Sequence, residues 1–478
     1  MSSSPSTDRR FFLDNLGCAK NQVDAEIMIA ALERAGWVRA ADPDAAAIIV
    51  VNTCGFIEPA KQESINVTLE YVNEYPHARV VMAGCLSQRY PTELAAELPE
   101  LAAVFGNRKP VRIVELLEEL RTTGNDSPLV EVPSGGLESH ERTHLLSFPG
   151  SAFVKVAEGC DNRCTFCAIP LIRGSHRSRP IDEIVEEIDG LLARGIREIN
   201  LVAQDLASFG RDLPGVTADA LLRGISELRG DFWVRLLYVY PERFPTSFFP
   251  ILQSDPRLLP YFDIPFQHAC APVLRKMGRP GSASDYLALV RRIRSELPDA
   301  VIRSTFLVGF FGESEHAFGE LLAFQEEARL DWVGVFPYSP EEGTPAMRGD
   351  PRLDVSRATA EKRARTVEER QRPITHERMD RFVGRDLDVL VEELVPAEPL
   401  ALGRFYGQAP EVDGSVVINV PETGASSSRD RGSARHADAD RADAGAGRVR
   451  RRNEVAPGEL VRCRIVRRNG LDVEAVPL

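Results

Sequence analysis

Short apolar segments alternate with helix-like segments along most of this chain, and this alternation restricts its fold more than any other feature. The first apolar segments are FFLDNLG (11–17), AAIIVVN (46–52) and RVVMAG (79–84), and helical patterns such as DAEIMIAALERAG separate them. Because parallel strands need crossover helices, the pattern predicts a parallel α/β domain over residues 8–125. The polar stretch that follows, which contains Gly and Pro, predicts a linker over residues 126–147.

The alternation then resumes on a larger scale. The strand candidates are FVKVAEG (153–159), REINLVA (197–203), FWVRLLY (232–238), YFDIP (261–265), VIRSTFLVG (301–309) and DWVGVF (331–336). Six strand–helix units fall short of a closed eight-unit barrel. We therefore predict an incomplete (β/α)6 barrel over residues 148–378.

The tail changes character beyond about residue 379. The segments DLDVLVEE, SVVINV, LVRCRIV and LDVEAV alternate apolar with polar residues, which predicts a small antiparallel β-domain over residues 379–478. From residue 422 to 452 the only large aliphatic residue is Val449. Such a composition cannot build a core, so we expect a disordered insertion there.

Composition narrows the class of protein. A chain of 478 residues, 43% of them hydrophobic, predicts about two to four domains. Its longest small and apolar run, AAAIIVV (45–51), has only the length of a strand, and the polar start MSSSPSTDRR lacks the apolar region of a signal peptide. We therefore expect a cytoplasmic protein without a membrane anchor. The net charge of −13 argues against a broad nucleic-acid-binding surface.

Cys160, Cys164 and Cys167 lie close together in EGCDNRCTFCAIP (158–170). Zinc sites usually pair their cysteines to reach four ligands, whereas the nearest further candidate here is His176. Three thiolates on a four-iron cluster would leave one iron open to a substrate. The preceding strand would put this loop at the C-terminal mouth of the barrel, where the active sites of such barrels lie. A structural zinc site or three unrelated thiols are the alternatives.

A second cysteine trio is dispersed along the first domain. Cys18, Cys54 and Cys85 each come just after a predicted strand. Since the C-terminal ends of parallel strands share one edge of a sheet, the three are expected to converge. Ordinary packing is the alternative, because small buried cysteines are common near strand ends. Cys270 and Cys463 lack such a context and are interpreted as packing residues.

These segments together carry a family resemblance. EGCDNRCTFCAIPLIRG resembles the cluster loop of radical S-adenosylmethionine enzymes, and LGCAKNQVDAE, VNTCGFIEPAKQESI and AGCLSQRY resemble the N-terminal cluster segments of the methylthiotransferases in that superfamily. Those proteins join an α/β domain, a radical barrel and a small β-barrel called TRAM, and the likeness spans nearly the whole chain. GCAKN, LYVYPERF, YFDIPFQHA and PYSPEEGTPA resemble the branch acting on ribosomal protein S-twelve more than the tRNA-modifying branch.

The resemblance implies an activity and its cofactors. The implied reaction is methylthiolation of an aspartate β-carbon in S-twelve to give 3-methylthioaspartate, with S-adenosylmethionine as radical source and methyl donor. A low-potential electron donor and a sulfur donor are further implied partners. Two four-iron clusters are implied, and the second one binds S-adenosylmethionine. Their implied ligands are Cys18, Cys54 and Cys85 for the first cluster and Cys160, Cys164 and Cys167 for the second.

The charge of the tail bears on the substrate. Outside residues 422–452, residues 381–478 contain 11 acidic and 7 basic side chains, a net charge of −4. An RNA-binding tail is expected to be basic, whereas an acidic tail suits a basic ribosomal protein. Two alternatives stay open, a tRNA adenosine methylthiotransferase and a non-catalytic iron–sulfur or zinc protein that binds the ribosome.

Other residues are candidates for contacts with cofactor or substrate. Two of these residues lie at the end of a barrel strand, where capping is the alternative role. Two arginines follow the cluster loop and could neutralise a carboxylate. A histidine could order the pocket or be structural. These candidates are Gln204, Asp205, Arg173, Arg177 and His268. In VGFFGESE, Phe311 stands where the family has Pro, so the rigid turn that Pro provides is lost. The family resemblance therefore does not predict the geometry of this loop.

Overall fold

The computed structural model describes residues 8–123, 127–135, 141–420 and 455–478. The chain divides into two units, residues 1–378 and 379–478. The insertion predicted at 422–452 lies outside the described residues. Within the described part of the chain, no helix is long and apolar enough to cross a membrane.

The first unit begins with a six-stranded sheet in the order β2-β1-β3-β4-β5-β6, and every neighbouring pair is parallel. The strands are β1 (Arg10–Asn15), β2 (Val38–Arg39), β3 (Ile48–Thr53), β4 (Arg79–Gly84), β5 (Ala103–Gly106) and β6 (Leu129–Glu131). The helices are α1 (Ala19–Arg34), α2 (Glu58–Glu74), α3 (Cys85–Arg89), α4 (Pro91–Glu97) and α5 (Ile113–Thr122). The predicted linker thus contains the edge strand β6.

Both faces of this sheet are covered, which explains its continuously apolar strands. Every residue of β3 is buried. Val50 packs with Ile29 of α1 on one face, whereas Ile49 packs with Leu94 of α4 on the other. A parallel sheet with helices on both sides needs apolar residues at consecutive positions.

The same unit continues with an open six-stranded parallel sheet in the order β7-β10-β11-β12-β13-β14, which confirms the incomplete barrel. The strands are β7 (Ser151–Lys155), β8 (Ala157–Glu158), β9 (Arg177–Ser178), β10 (Glu198–Val202), β11 (Trp233–Leu236), β12 (Leu258–Asp263), β13 (Val301–Val308) and β14 (Trp332–Pro337). β8 and β9 form a separate antiparallel pair. The helices are α6 (Ile169–Arg173), α7 (Ile181–Ala193), α8 (Ala218–Ser226), α9 (Phe248–Ser254), α10 (Ala271–Lys276), α11 (Ala283–Glu296), α12 (Glu315–Ala328) and α13 (Arg357–Asp380).

The second unit is a closed barrel in the order β15-β16-β17-β19-β18, which confirms the predicted small β-barrel. Its strands are β15 (Asp386–Leu394), β16 (Leu400–Phe405), β17 (Val416–Asn419), β18 (Leu460–Asn469) and β19 (Asp472–Pro477). The pair β17–β19 is parallel, whereas the other pairs are antiparallel. The strands predicted from the sequence do not include β16, in which Gly403 interrupts the apolar alternation.

Gly159 fixes the start of the loop that carries the clustered cysteines. Its φ is +76°, and a Cβ there would collide with the carbonyl oxygen of Ser175 and come within 2.6 Å of that of Gly174. The next residue, Cys160, donates its backbone N–H to the Gly174 carbonyl at 3.1 Å. Only glycine therefore fits at this position without moving the loop.

We expect Gly159→Ala to lower the melting temperature and the iron content of the protein because both backbone strain and a backbone clash oppose it. Gly195→Ala is the matched control, since Gly195 has φ +91° but open space around its Cβ position. Left-handed strain alone costs about 1–3 kcal/mol. Calorimetry and iron analysis of both variants measure the difference. Equal losses in the two would contradict a role for the clash.

Candidate functional site

The dispersed cysteine trio lies at the C-terminal edge of the first sheet. Cys18 immediately precedes α1, Cys54 follows β3, and Cys85 begins α3 directly after β4. The strands before them, β1, β3 and β4, are adjacent and parallel. Burial is the main cause of the raised pKa of Cys54, about 12, and the charges of Cys85 and Cys18 contribute to the increase. The structure therefore brings these three thiols together.

The clustered trio lies in the loop between β8 and α6, beside the mouth of the partial barrel. Burial is the main cause of the raised pKa values of Cys160, about 11, and Cys167, about 12. The charge of Cys164 contributes to both increases. The Cys164 sulfur lies 3.4 Å from the hydroxyl oxygen of Tyr240, which follows β11. These three thiols also lie close together.

The donor set of both trios suits iron–sulfur clusters. All eight cysteines are free thiols. Among the described residues, no three His, Cys, Asp or Glu side chains are arranged to hold a single metal ion. In a four-iron cluster each thiolate binds a different iron, so its ligands stand further apart than those around one zinc ion. Three thiolates can bind three irons of such a cluster.

A buried ion-pair cluster, formed by Asp24, Lys155, Glu158 and Arg173, joins the first sheet to the barrel. Arg173 at the end of α6 binds Asp24 of α1 at 2.9 Å and Glu158 of β8 at 3.0 Å. Lys155 of β7 binds the same carboxylates at 2.5 and 2.8 Å. Burial acts to raise the pKa of Glu158, but the charges of Arg173 and Lys155 hold it well below its ordinary value. The carboxylates that Arg173 neutralises are therefore the protein's own.

The ion-pair cluster also reaches a thiol of the dispersed trio. Arg173 donates to the Cys85 sulfur at 3.3 Å and to the Asn21 side-chain oxygen at 2.5 Å. Asn107, which follows β5, donates its side-chain amide to the same sulfur at 3.1 Å. Hydrogen bonds to ligand sulfur tune the reduction potential of a cluster. Asn21 and Asn107 were not among the candidate residues predicted from the sequence, although Asn107 also follows a strand at this sheet edge.

Gln204 and Asp205 lie just after β10, beside the loop of the clustered trio. Gln204 donates to Glu158 at 2.8 Å. Asp205 caps the short helical turn that follows it and forms an ion pair with Arg243 at 2.6 Å. It also accepts a hydrogen bond from Asn162, inside the cysteine loop, at 2.8 Å. Both side chains therefore support the loop, and their contact with cofactor or substrate stays a prediction.

Among the remaining candidates, His268 and Phe311 have local partners. His268 is fully buried, and burial lowers its pKa to about 3, so its ring is neutral. Its Nδ1 accepts the backbone N–H of Cys270 at 2.9 Å, which leaves the proton on Nε2, 4.0 Å from Glu313. Arg177 lies in β9. Phe311 packs its ring against that of the preceding phenylalanine, with a centroid distance of 4.5 Å.

Three family models match the chain. "Uncharacterized protein family UPF0004" matches residues 10–106, "Radical SAM superfamily" matches residues 154–324, and "TRAM domain" matches residues 383–443. Among solved structures, the radical S-adenosylmethionine methyltransferase TsrM of Kitasatospora setae is 15% identical with a TM-score of 0.49. The match covers 70% of this chain and 77% of that one.

Curated relatives are similar over nearly the full length. The ribosomal protein uS12 methylthiotransferase RimO of Treponema denticola is 41% identical over 490 residues, which is 97% of this chain and 100% of that protein. The protein of the same name from Aquifex aeolicus is 42% identical over 410 residues, 84% of this chain and 89% of the relative. The chain therefore belongs to the RimO family of ribosomal protein uS12 methylthiotransferases.

Proposed function

We propose that this chain transfers a methylthio group to the β-carbon of an aspartate in ribosomal protein uS12, the protein called S-twelve above. The observation that carries the proposal is that Arg173, in the buried ion-pair cluster, contacts both the Cys85 thiol of the dispersed trio and Glu158, which lies two residues before the clustered trio. The reaction needs hydrogen removal and sulfur delivery at one carbon. Two clusters, one held by each trio, would divide these tasks.

The cofactors follow from the two trios and the family. When bound, S-adenosylmethionine at the barrel cluster would supply a 5′-deoxyadenosyl radical after the addition of one electron. This radical would take the β-hydrogen. A methylthio anion would then form the bond to the β-carbon and return the electron. A donor of sulfide-level sulfur and a second S-adenosylmethionine would be the sources of the methylthio group, and a low-potential donor would supply the electron. The cluster ligands would be Cys18, Cys54 and Cys85 in the first sheet and Cys160, Cys164 and Cys167 at the barrel, with S-adenosylmethionine at the barrel cluster.

The chain's own side chains fix the geometry. Arg173 contacts both Cys85 and Glu158, and Glu158 in turn accepts a hydrogen bond from Gln204 at the barrel mouth. This path of direct contacts connects the edge of the first sheet to the barrel. A buried network of this kind fixes one arrangement of its groups, because any other arrangement leaves a buried charge unpaired.

The second unit supports a protein target over RNA. All four arginines of β18 lie in ion pairs with carboxylates of the same unit, at 2.7 to 3.2 Å. Phosphate binding needs cations that are available to exchange for counterions. This strand therefore offers RNA little unneutralised charge. The arginines are Arg462, Arg464, Arg467 and Arg468.

Mass spectrometry of uS12 from cells with and without this chain tests the proposal. We expect uS12 from the deletion strain to be lighter by one methylthio group, and the modified position to be an aspartate. Nucleoside analysis of tRNA from the same cells should show no difference. An unchanged uS12 together with a tRNA that has lost a methylthio group would contradict the protein target.

Cysteine variants distinguish the roles of the two trios. A chain with two four-iron clusters holds about eight irons. We expect Cys164→Ala to keep about four irons and to lose cleavage of S-adenosylmethionine. Cys85→Ala should also keep about four irons but retain cleavage while losing transfer to uS12. Cys463→Ala in the second unit is the control and should keep the full iron content. A full iron content in Cys164→Ala would refute its assignment.

The ion-pair cluster is tested by Arg173→Met. This change leaves two buried carboxylates with only Lys155, and breaking a buried pair costs about 3–5 kcal/mol. Arg108→Met is the control, because Arg108 donates to the nearby Ile172 carbonyl at 3.2 Å but is only partly buried. We expect it to cost under about 1 kcal/mol. Urea unfolding of the metal-free proteins gives both values, and equal losses would contradict the role of the cluster.

A further inference from the structure

A second buried ionic contact joins the first sheet to the barrel, in the loop of residues 338–346 that follows β14 (the bridging loop). Its Glu341 is 2% exposed. One carboxylate oxygen of Glu341, Oε2, binds Arg89 at 2.8 Å and Lys61 at 3.1 Å. Lys61 lies in α2 and Arg89 ends α3, so both cations belong to helices of the first sheet.

Hydrogen bonds hold Glu341 from within its own loop. The Ser339 hydroxyl donates to the other carboxylate oxygen, Oε1, at 2.7 Å. The Thr344 hydroxyl donates to the backbone carbonyl of Glu341 at 2.6 Å. Both carboxylate oxygens thus have partners, and a buried network that is fully satisfied fixes one arrangement of its groups.

The bridging loop contacts the segments of the dispersed trio. Arg89 is the last residue of α3, which begins with Cys85. Its guanidinium also donates to the carbonyl of Gly55, the residue after Cys54, at 3.0 Å, and to the carbonyl of Glu342 at 2.8 Å. Glu341 and its neighbour therefore fix Arg89 at a point where two cysteine-bearing segments meet.

The same loop contacts the segment of the clustered trio. Ala346 donates its backbone N–H to the carbonyl of Thr165, which lies between Cys164 and Cys167, at 2.9 Å. Gly343, with φ +78°, packs so close to α6 that a Cβ there would lie 2.9 Å from Cδ1 of Leu171. The bridging loop is thus held at both trios.

The two trios adjoin each other through apolar contact as well. Cys85 packs with Ala168 and Ile172, and Ala168 directly follows Cys167. Apolar contact alone permits sliding, whereas paired buried charges permit one arrangement only. The bridging loop supplies such charges on both sides of this junction.

We propose that Glu341 is a positioning residue that keeps hydrogen removal and sulfur delivery coupled, an inference that rests on the proposed function. Radical formation needs the barrel trio alone, whereas transfer of the methylthio group needs both trios at a fixed separation. Glu341 acts through Arg89 on one trio and through the backbone of its loop on the other. Its loss therefore affects transfer to uS12 far more than cleavage of S-adenosylmethionine.

Single-turnover assays of the full chain with its clusters and uS12 test the inference. They measure the 5′-deoxyadenosine formed and the methylthio groups transferred. In Glu341→Gln we expect transfer to fall by about 10- to 100-fold, since small displacements of reacting groups cost this much, while 5′-deoxyadenosine changes by under about twofold. Electron paramagnetic resonance of the reduced protein should show a weaker magnetic interaction between the two clusters than in the unaltered chain.

Glu187→Gln is the matched control. Glu187 of α7 is also held by two cations, Arg142 at 2.5 Å and Arg179 at 2.6 Å, but α7 carries no cysteine. This variant should keep the ratio of 5′-deoxyadenosine to transferred methylthio groups. Iron content shows whether each variant is loaded. If Glu341→Gln loses iron, Ser339→Ala replaces it, because that change removes one hydrogen bond from Glu341 and leaves both ion pairs; the ratio should then rise by at least about twofold.

An unchanged ratio in the loaded variant would overturn the inference. An equal rise in Glu187→Gln, or a raised ratio with an unchanged magnetic interaction, would overturn it as well. Each of these results leaves the proposed function standing as long as the unaltered chain modifies uS12. An unaltered chain that transfers no methylthio group to uS12 would instead contradict the proposed function.

Discussion

The buried ion-pair cluster of Asp24, Lys155, Glu158 and Arg173 is the interaction on which the site depends. It contains two cations and two carboxylates, and each of these would be costly to bury alone. The carboxylate of Asp24 belongs to the first sheet's α1, whereas its partners come from the barrel. Apolar side chains of similar size often give equal stability at such positions. What the charges add is a single permitted arrangement of the two halves of the unit.

That arrangement matters because of the chemistry proposed for the unit. Removal of a hydrogen atom from an unactivated carbon and delivery of sulfur to the same carbon both require close approach, and an error of an ångström costs much of the rate. Arg173 contacts the Cys85 sulfur directly, so the element that fixes the geometry also contacts a proposed cluster ligand.

The sequence predicted what depends on local pattern and on the rule that parallel strands end at one edge. This rule located Cys18, Cys54 and Cys85, and the apolar runs located all six strands of the partial barrel. The apolar runs did not reveal β2, β5 and β6, because strands of two to four residues are too short to show an alternation. The contacts of Arg173 were also out of reach. Its partner Asn21 is 152 positions away, and no periodicity reports contacts at that separation.

Deuterium transfer tests whether a radical formed at one trio acts on the carbon that receives sulfur from the other. The substrate is uS12 that carries deuterium at the β-carbons of its aspartates, and the product examined is 5′-deoxyadenosine from a single turnover. We expect deuterium to move into 5′-deoxyadenosine as uS12 gains its methylthio group. Methylthiolated uS12 formed together with deuterium-free 5′-deoxyadenosine would contradict it.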